Sequence, residues 1–217
     1  ALGVRRGIEA LAEVVLARSD LDGMHVAIQG TGHVGAHLVR ELFDLGCRLT
    51  VADISPERTA QMADEYGAQV VTVDEIAAVA CDVFAPCALS DAINEATVDR
   101  LRCRIVAGSA NSQLATPKMG ELLQARGIFY APDYAINAGG LINVAQEYAG
   151  YDAVLAREKT LDIRDTIAEI ARRARKSGTA PAEVADRMVR EILAAATPED
   201  MPPLLDLETS GPHSEWN

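Results

Sequence analysis

One stretch constrains this chain more than any other: "VAIQGTGHVGAHLVRELFDLGCRLTVAD", residues 26–53. An apolar run enters Gly30-Thr31-Gly32-His33-Val34-Gly35 and leaves in a helical pattern, and a second apolar run stops at Asp53. Each glycine has a physical task. Gly30 permits the tight turn, Gly32 lets the main chain approach a pyrophosphate, and Gly35 allows close helix–strand packing. Main-chain N–H groups at the start of the helix then face the phosphates. Asp53 follows Gly35 by 18 positions, at the end of the next strand, where a carboxylate accepts from a ribose hydroxyl. Asp53 repels a 2′-phosphate and so favours NAD over NADP. Arg58 also comes within reach of that region, although its place after Ser55-Pro56 puts it on a helix surface. The plain alternative is a glycine-rich turn without a ligand.

The rest of the chain continues the alternation. Strands are predicted at 24–30, 47–53, 69–73, 81–86, 103–110 and 128–132. Helices are predicted at 33–45, 56–66, 94–101 and 116–126, with a short one from Asp74. Ser55-Pro56 and Thr116-Pro117 each place a capping hydroxyl before a proline at the first helical position. This pattern specifies an α/β fold, a doubly wound, mostly parallel Rossmann sheet. Beyond Ala138 the chain turns helical, at about 139–149, 152–176 and 181–196. The expected organisation is a dinucleotide domain over 1–150, a C-terminal helical segment over 151–196 and a flexible tail over 197–217. The chain opens on Ala1 in a helical pattern with Val4, Ile8, Leu11 and Val15 on one stripe. It reads as cut from something longer, or as a processed protein.

Composition excludes several classes. A net charge of −12 over 217 residues, with no basic cluster beyond a helix surface, argues against nucleic acid and anionic membranes as partners. No apolar run approaches a membrane span of about 20 residues, and no signal peptide opens the chain. Cys47, Cys81, Cys87 and Cys103 form no CxxC pair and read as buried thiols of a reducing compartment, with zinc the alternative. His33 and His37, four apart, are a possible metal pair, but His33 is expected to face solvent inside the glycine loop, and no metal site is assigned. Serine hydrolase chemistry has no GxSxG elbow to rest on.

Two further loops follow strands. "FAPCALSDAI" (84–93) places Cys87 and Ala88, and "VAGSANSQL" (106–114) places Ser109, Ala110 and Asn111, outside strand carboxyl ends, where ligands of such sheets bind. An asparagine there can both donate to and accept from a carboxamide, or simply close an Asx turn. In "YAPDYAINAGGLINVAQEY" (130–148) Asn137 is a helix N-cap or a ligand-facing group. Gly139 and Gly140 suit a close backbone approach. Leu141 and Val144 share a helix face, as pocket lining or as core.

Taken together, "VRRGIEA", "IQGTGHVG", "CDVFAPCAL", "VAGSANSQL" and "APDYAINAGGLINVAQE" resemble the glutamate/leucine/phenylalanine/valine dehydrogenase family, nearest to its branched-chain members, from Ala1 to about Ala195. The resemblance implies an NAD-binding domain that follows a substrate domain, here absent. It implies a cytoplasmic, homo-oligomeric parent that oxidises an L-amino acid to the 2-oxo acid and ammonia with hydride transfer to NAD.

The resemblance also assigns roles by motif. Gly30, Thr31, Gly32, His33, Val34 and Gly35 match the phosphate loop, and Asp53 with Ile54 the ribose side. Cys87, Ala88, Ser109, Ala110 and Asn111 match the nicotinamide side, with Asn137 at the mouth of the cleft. Asn137, Leu141 and Val144 match the substrate pocket, whose aliphatic lining implies valine or leucine, with the size of Leu141 leaning towards valine. The family's catalytic lysines lie in the substrate domain. Lys118, Lys159 and Lys176 all fall on helices with surface-like neighbours, so no catalytic residue is assigned. Thr31 stands where leucine is usual, and Ser112 where a second asparagine often stands. The rival readings are a stand-alone NAD-binding regulatory module, and a phenylalanine or glutamate dehydrogenase.

Overall fold

The computed structural model of the chain describes residues 1–88, 90–147 and 151–196. The expected tail over 197–217 and the end of the helix expected over 139–149 lie outside the described residues. Strands β1 (His25–Gln29), β2 (Arg48–Ala52), β3 (Gln69–Val70), β4 (Val83–Pro86), β5 (Ile105–Val106) and β6 (Phe129–Tyr130) form one sheet. The order is β3-β2-β1-β4-β5-β6, and every pairing is parallel. This is the doubly wound order read from the alternation of elements. The chain steps outward from β1 through β2 to β3, then returns to β1's other side with β4. A crevice therefore opens beyond the carboxyl ends of β1 and β4.

Burial explains why the central strands read as apolar runs. Val26, Ala27 and Ile28 of β1 and all four residues of β4 are buried, as expected of parallel strands covered on both faces. Phe84 of β4 joins Ile93, Leu101, Val106, Met119 and Leu123 in one continuous core. Helices α1 (Leu2–Leu16), α2 (His33–Phe43), α3 (Pro56–Tyr66) and α4 (Pro117–Ala125) agree with the sequence periodicity to within a turn.

The outer strands and several turns differ from the sequence expectation. The strands expected over 69–73, 103–110 and 128–132 hold ladder pairing for only two residues each. The helix expected over 94–101 is a single 3₁₀ turn, Val98–Arg100. It follows an Asx turn in which Asn94 Oδ1 accepts from the N–H groups of Ala96 and Thr97. The helix from Asp74 is likewise one 3₁₀ turn, Ile76–Ala78. A four-residue helix α5 (Asp133–Ile136) precedes α6 (Gly139–Glu147), so Asn137 is the C-cap of α5 rather than the N-cap of α6. The helix expected over 152–176 is two, α7 (Ala153–Leu161) and α8 (Ile163–Ser177), broken at Asp162.

Residues 1–185 form one compact unit, and the described residues 186–196 belong to a second, which holds most of α9 (Pro181–Ala195). Within the first unit, α1 packs along α8 through its glycines. A Cβ on Gly3 would lie 2.6 Å from Ile163 Cδ1, and one on Gly7 would lie 2.6 Å from Ile136 Cδ1. The opening helix thus fixes α5 and α8 against the sheet domain. Among the described residues no helix is long and apolar enough to cross a membrane.

Candidate coenzyme and substrate site

The glycine loop closes by contact. Gly30 has φ +98°, a conformation that favours glycine, and a Cβ there would lie 2.8 Å from the main-chain nitrogen of Ala88. A Cβ on Gly35 would overlap the carbonyl oxygen of Gly30, which brings α2 down onto the strand end. Gly32 differs: a Cβ on it would meet nothing nearer than Arg58 Nη1 at 3.9 Å. Gly32 is the N-cap of α2, and no side chain caps that helix. The three glycines therefore divide as tight-turn, open-face and packing residues. The open face fits a pyrophosphate lying against an uncapped helix N-terminus.

Asp53 anchors the other side of this loop. Its Oδ2 accepts from the Thr31 N–H at 2.7 Å and from Thr31 Oγ1 at 3.1 Å, and its Oδ1 accepts from the Ser55 N–H at 2.9 Å. The side chain is only 6% exposed, and Arg58 Nη1 stands 3.9 Å from Oδ1. Burial would raise its pKa, but the donors at Ser55 and Thr31, aided by the charge of Arg58, outweigh burial and hold the carboxyl below its usual range. Thr31 is buried here and orders the Asp53 carboxylate. Ile54, next to it, is almost fully exposed.

The opposite end of the crevice is built by the loops after β4 and β5. Cys87 N–H donates to Gln29 O at 2.7 Å, and Ala110 N–H donates to Pro86 O at 2.9 Å. Asn137 Nδ2 donates to Asn111 Oδ1 at 2.7 Å and reaches Ser109 O at 3.4 Å. With its oxygen committed, Asn111 keeps amide donors for another acceptor. A cavity of about 870 Å³ opens beside this pair, lined by Val34, Ser109, Asn111, Asn137, Gly140 and Leu141 among others. Leu141 is 74% exposed on its wall. Val144 is 47% exposed and not among the lining residues, whereas Asn143, Arg157 and Thr160 are. The paired glycines have different uses: a Cβ on Gly139 would come 3.2 Å from Thr160 Cγ2 of α7, while Gly140 has open space.

Thus Gly30 to Gly35, Asp53, Cys87, Ala88, Ser109, Asn111 and Asn137 gather along one crevice, with Ala110 buried beneath it. Two supporting residues escape a reading of the sequence. Gln113 is 0% exposed, and its Nε2 donates to Gly108 O at 2.9 Å and Ala110 O at 3.0 Å, shaping the loop that bears Asn111. Asp133 accepts from the Gln113 N–H at 3.0 Å and from the Tyr134 N–H at 2.8 Å, tying α5 to the same loop. Their sequence signal is slight: Gln113 lies two positions after Asn111, and Asp133 follows Pro132 just beyond the sixth apolar run.

The cysteines are free thiols, Cys47 and Cys103 buried and the other two half-buried. Burial pushes Cys47 and Cys81 up to about 12 and Cys103 up to about 11, so they stay protonated near neutrality. His33 and His37 are exposed, with ring centroids 4.9 Å apart. Among the described residues no group of three or more His, Cys, Asp or Glu could hold a metal ion.

Comparison with known proteins agrees with this geometry. A family model described as Glutamate/Leucine/Phenylalanine/Valine dehydrogenase matches residues 51–197. The chain is 45% identical to leucine dehydrogenase of Thermoactinomyces intermedius over 88% of its own length and 52% of that protein's. It is 42% identical to phenylalanine dehydrogenase of the same organism, over 91% and 54%. The crystal structure of L-tryptophan dehydrogenase from Nostoc punctiforme superposes with a TM-score of 0.87 at 40% identity, covering 89% of this chain and 59% of that one. The chain spans about half the length of the curated relatives it matches. It belongs to the glutamate/leucine/phenylalanine/valine dehydrogenase family.

Proposed function

We propose that the chain is the coenzyme-binding part of an NAD-dependent L-amino acid dehydrogenase whose substrate carries a branched aliphatic side chain. The observation that carries this reading is the continuity of the site. The loop whose Thr31 holds Asp53 also presents Val34 to the cavity walled by Asn111, Asn137 and Leu141. One end suits a ribose, the middle a pyrophosphate, and the far end a carboxamide beside an apolar side chain. A bound nicotinamide would supply the hydride acceptor. The chain's own residues orient it: the Asn137–Asn111 pair fixes the amide donors, and Leu141 sets the apolar wall.

Oxidative deamination also needs a group that moves protons during water addition and ammonia release. Lys118, Lys159 and Lys176 are exposed on α4, α7 and α8, and none of them lines the cavity. We assign that chemistry to a substrate domain, in keeping with the length of the relatives. A homo-oligomeric, cytoplasmic parent is part of the same proposal.

The test follows NADH formation with L-valine, L-leucine, L-phenylalanine and L-glutamate. It uses this chain alone and the chain joined to the substrate domain of a leucine dehydrogenase. The expected result is no turnover alone, and in the joined protein a preference for the branched substrates. Turnover by the chain alone would overturn the assignment of proton transfer elsewhere. A preference for phenylalanine or glutamate would overturn the aliphatic pocket.

A further inference from the structure

Among the described residues lining the cavity beside Asn111 and Asn137, Arg157 of α7 is the only charged side chain, and no carboxylate stands with it. The chain as a whole has 32 acidic and 20 basic residues, so the cavity runs against its overall sign. Arginines on helix surfaces ordinarily pair with carboxylates three or four positions away. For Arg157 those positions are Ala153, Val154, Thr160 and Leu161, none of them acidic. No ion pair among the described residues includes it.

The local geometry places a second donor across from it. Asp152 caps α7, its Oδ1 accepting from the N–H groups of Val154 and Leu155 at 2.8 and 3.1 Å. Ala153, Ala156, Arg157 and Thr160 then recur at helical spacing on the face that lines the cavity. A Cβ on Gly139 of α6 would lie 3.2 Å from Thr160 Cγ2, so α6 and α7 meet closely there. Asn143 follows Gly139 by four positions, on the same face of α6, and also lines the cavity. Its Oδ1 accepts from Tyr151 Oη at 3.0 Å, which leaves the amide hydrogens to donate. A guanidinium and an amide that both donate, with no acceptor of opposite charge beside them, select an anion. The guanidinium fork matches the two oxygens of a carboxylate.

We propose that Arg157 and Asn143 form a carboxylate subsite between α6 and α7 that takes the 2-oxo acid in preference to the amino acid. The inference rests on the dehydrogenase reading of the cavity. The 2-oxo acid carries one negative charge and nothing to offset it. The amino acid carries an ammonium beside its carboxylate, which the guanidinium repels and which finds no carboxylate on this wall. Arg157 is exposed, as a group that meets a ligand arriving from solvent must be, so screening limits the preference to a few-fold.

The test titrates L-leucine, the 2-oxo acid of leucine, phenylpyruvate and NAD⁺ separately into the 217-residue chain, Arg157→Gln and Arg157→Lys, with ligand-observed NMR and a thermal melt of each variant. The wild-type chain should bind the 2-oxo acid of leucine at least about fivefold more tightly than L-leucine. Arg157→Gln should abolish that difference and Arg157→Lys restore part of it, with the Kd for NAD⁺ moving less than about twofold in either. Raising NaCl from about 0.02 to 0.2 M should weaken 2-oxo acid binding to the wild type about threefold and leave Arg157→Gln nearly unchanged. Equal wild-type affinity for L-leucine and its 2-oxo acid, or an equal loss of both in Arg157→Gln, would overturn the inference. So would no binding of any 2-oxo acid at about 50 mM by a chain that still binds NAD⁺, which would leave the coenzyme site standing. Tighter binding of phenylpyruvate than of the branched 2-oxo acid, still lost in Arg157→Gln, would support the subsite and overturn the branched-substrate reading alone.

Discussion

Thr31 and Asp53 form a two-bond clamp: main-chain N–H and side-chain hydroxyl of one residue both donate to a single carboxylate oxygen of the other, at 2.7 and 3.1 Å. The clamp joins the phosphate loop to the end of β2. Thr31→Val keeps the shape and removes one donor. The expected cost is about 1–2 kcal/mol of stability, as for a hydrogen bond to a charged group. Because the donors hold the Asp53 carboxyl low, its contribution is fully present above the unfolded value of about 3.9 and disappears as pH falls through the lower folded value. An NMR titration of the Asp53 carboxyl should therefore move upward in Thr31→Val. No movement would mean that the hydroxyl is not a donor.

Gly35 and Gly32 make opposite predictions despite sharing one loop. A side chain on Gly35 collides with Gly30 O, so Gly35→Ala should lower stability by about 3 kcal/mol or more, a fall in Tm on the order of 10 °C. A methyl on Gly32 has room, so Gly32→Ala should melt near the wild type. It should nevertheless weaken NAD⁺ binding at least about tenfold, because the proposed site brings a pyrophosphate against the main chain there. Thermal melts and NAD⁺ titrations of both variants separate the two effects.

The pairing of Asn137 with Asn111 gives a third prediction. Asn137→Ala removes the 2.7 Å bond and leaves Asn111 free to rotate. The expected loss is about 1 kcal/mol of coenzyme affinity, close to a fivefold rise in Kd, with little change in Tm because both side chains lie at the mouth of the crevice. A large fall in Tm with unchanged affinity would make the pair a fold support instead.

Ser112, in the same loop, has φ +50°. A left-handed backbone is costly for serine and free for glycine, so Ser112→Gly should raise stability by about 1 kcal/mol, or about 2–4 °C in Tm. Circular dichroism melts measure it directly.

The central elements were legible because their signals are local. The buried run of β1, the glycines, and the cap-and-proline starts of α3 and α4 each depend on a few adjacent residues. What escaped depends on distant partners. Two-residue ladders at β3, β5 and β6 are set by pairing with a strand distant in sequence, which no apolar run reveals. The break at Asp162 and the short α5 bring Ile163 and Ile136 against Gly3 and Gly7 of α1, more than 100 positions away. In the site, Gly30, Asp53 and Asn111 could be named from motif and spacing. Gln113 could not, since its role is to accept burial and satisfy two carbonyls at Gly108 and Ala110.

The most direct test is a calorimetric titration of NAD⁺ into this chain. One saturable site per chain is predicted, with affinity at least tenfold lower in Gly32→Ala. Absence of binding at millimolar NAD⁺, from a chain that melts cooperatively, would contradict the account.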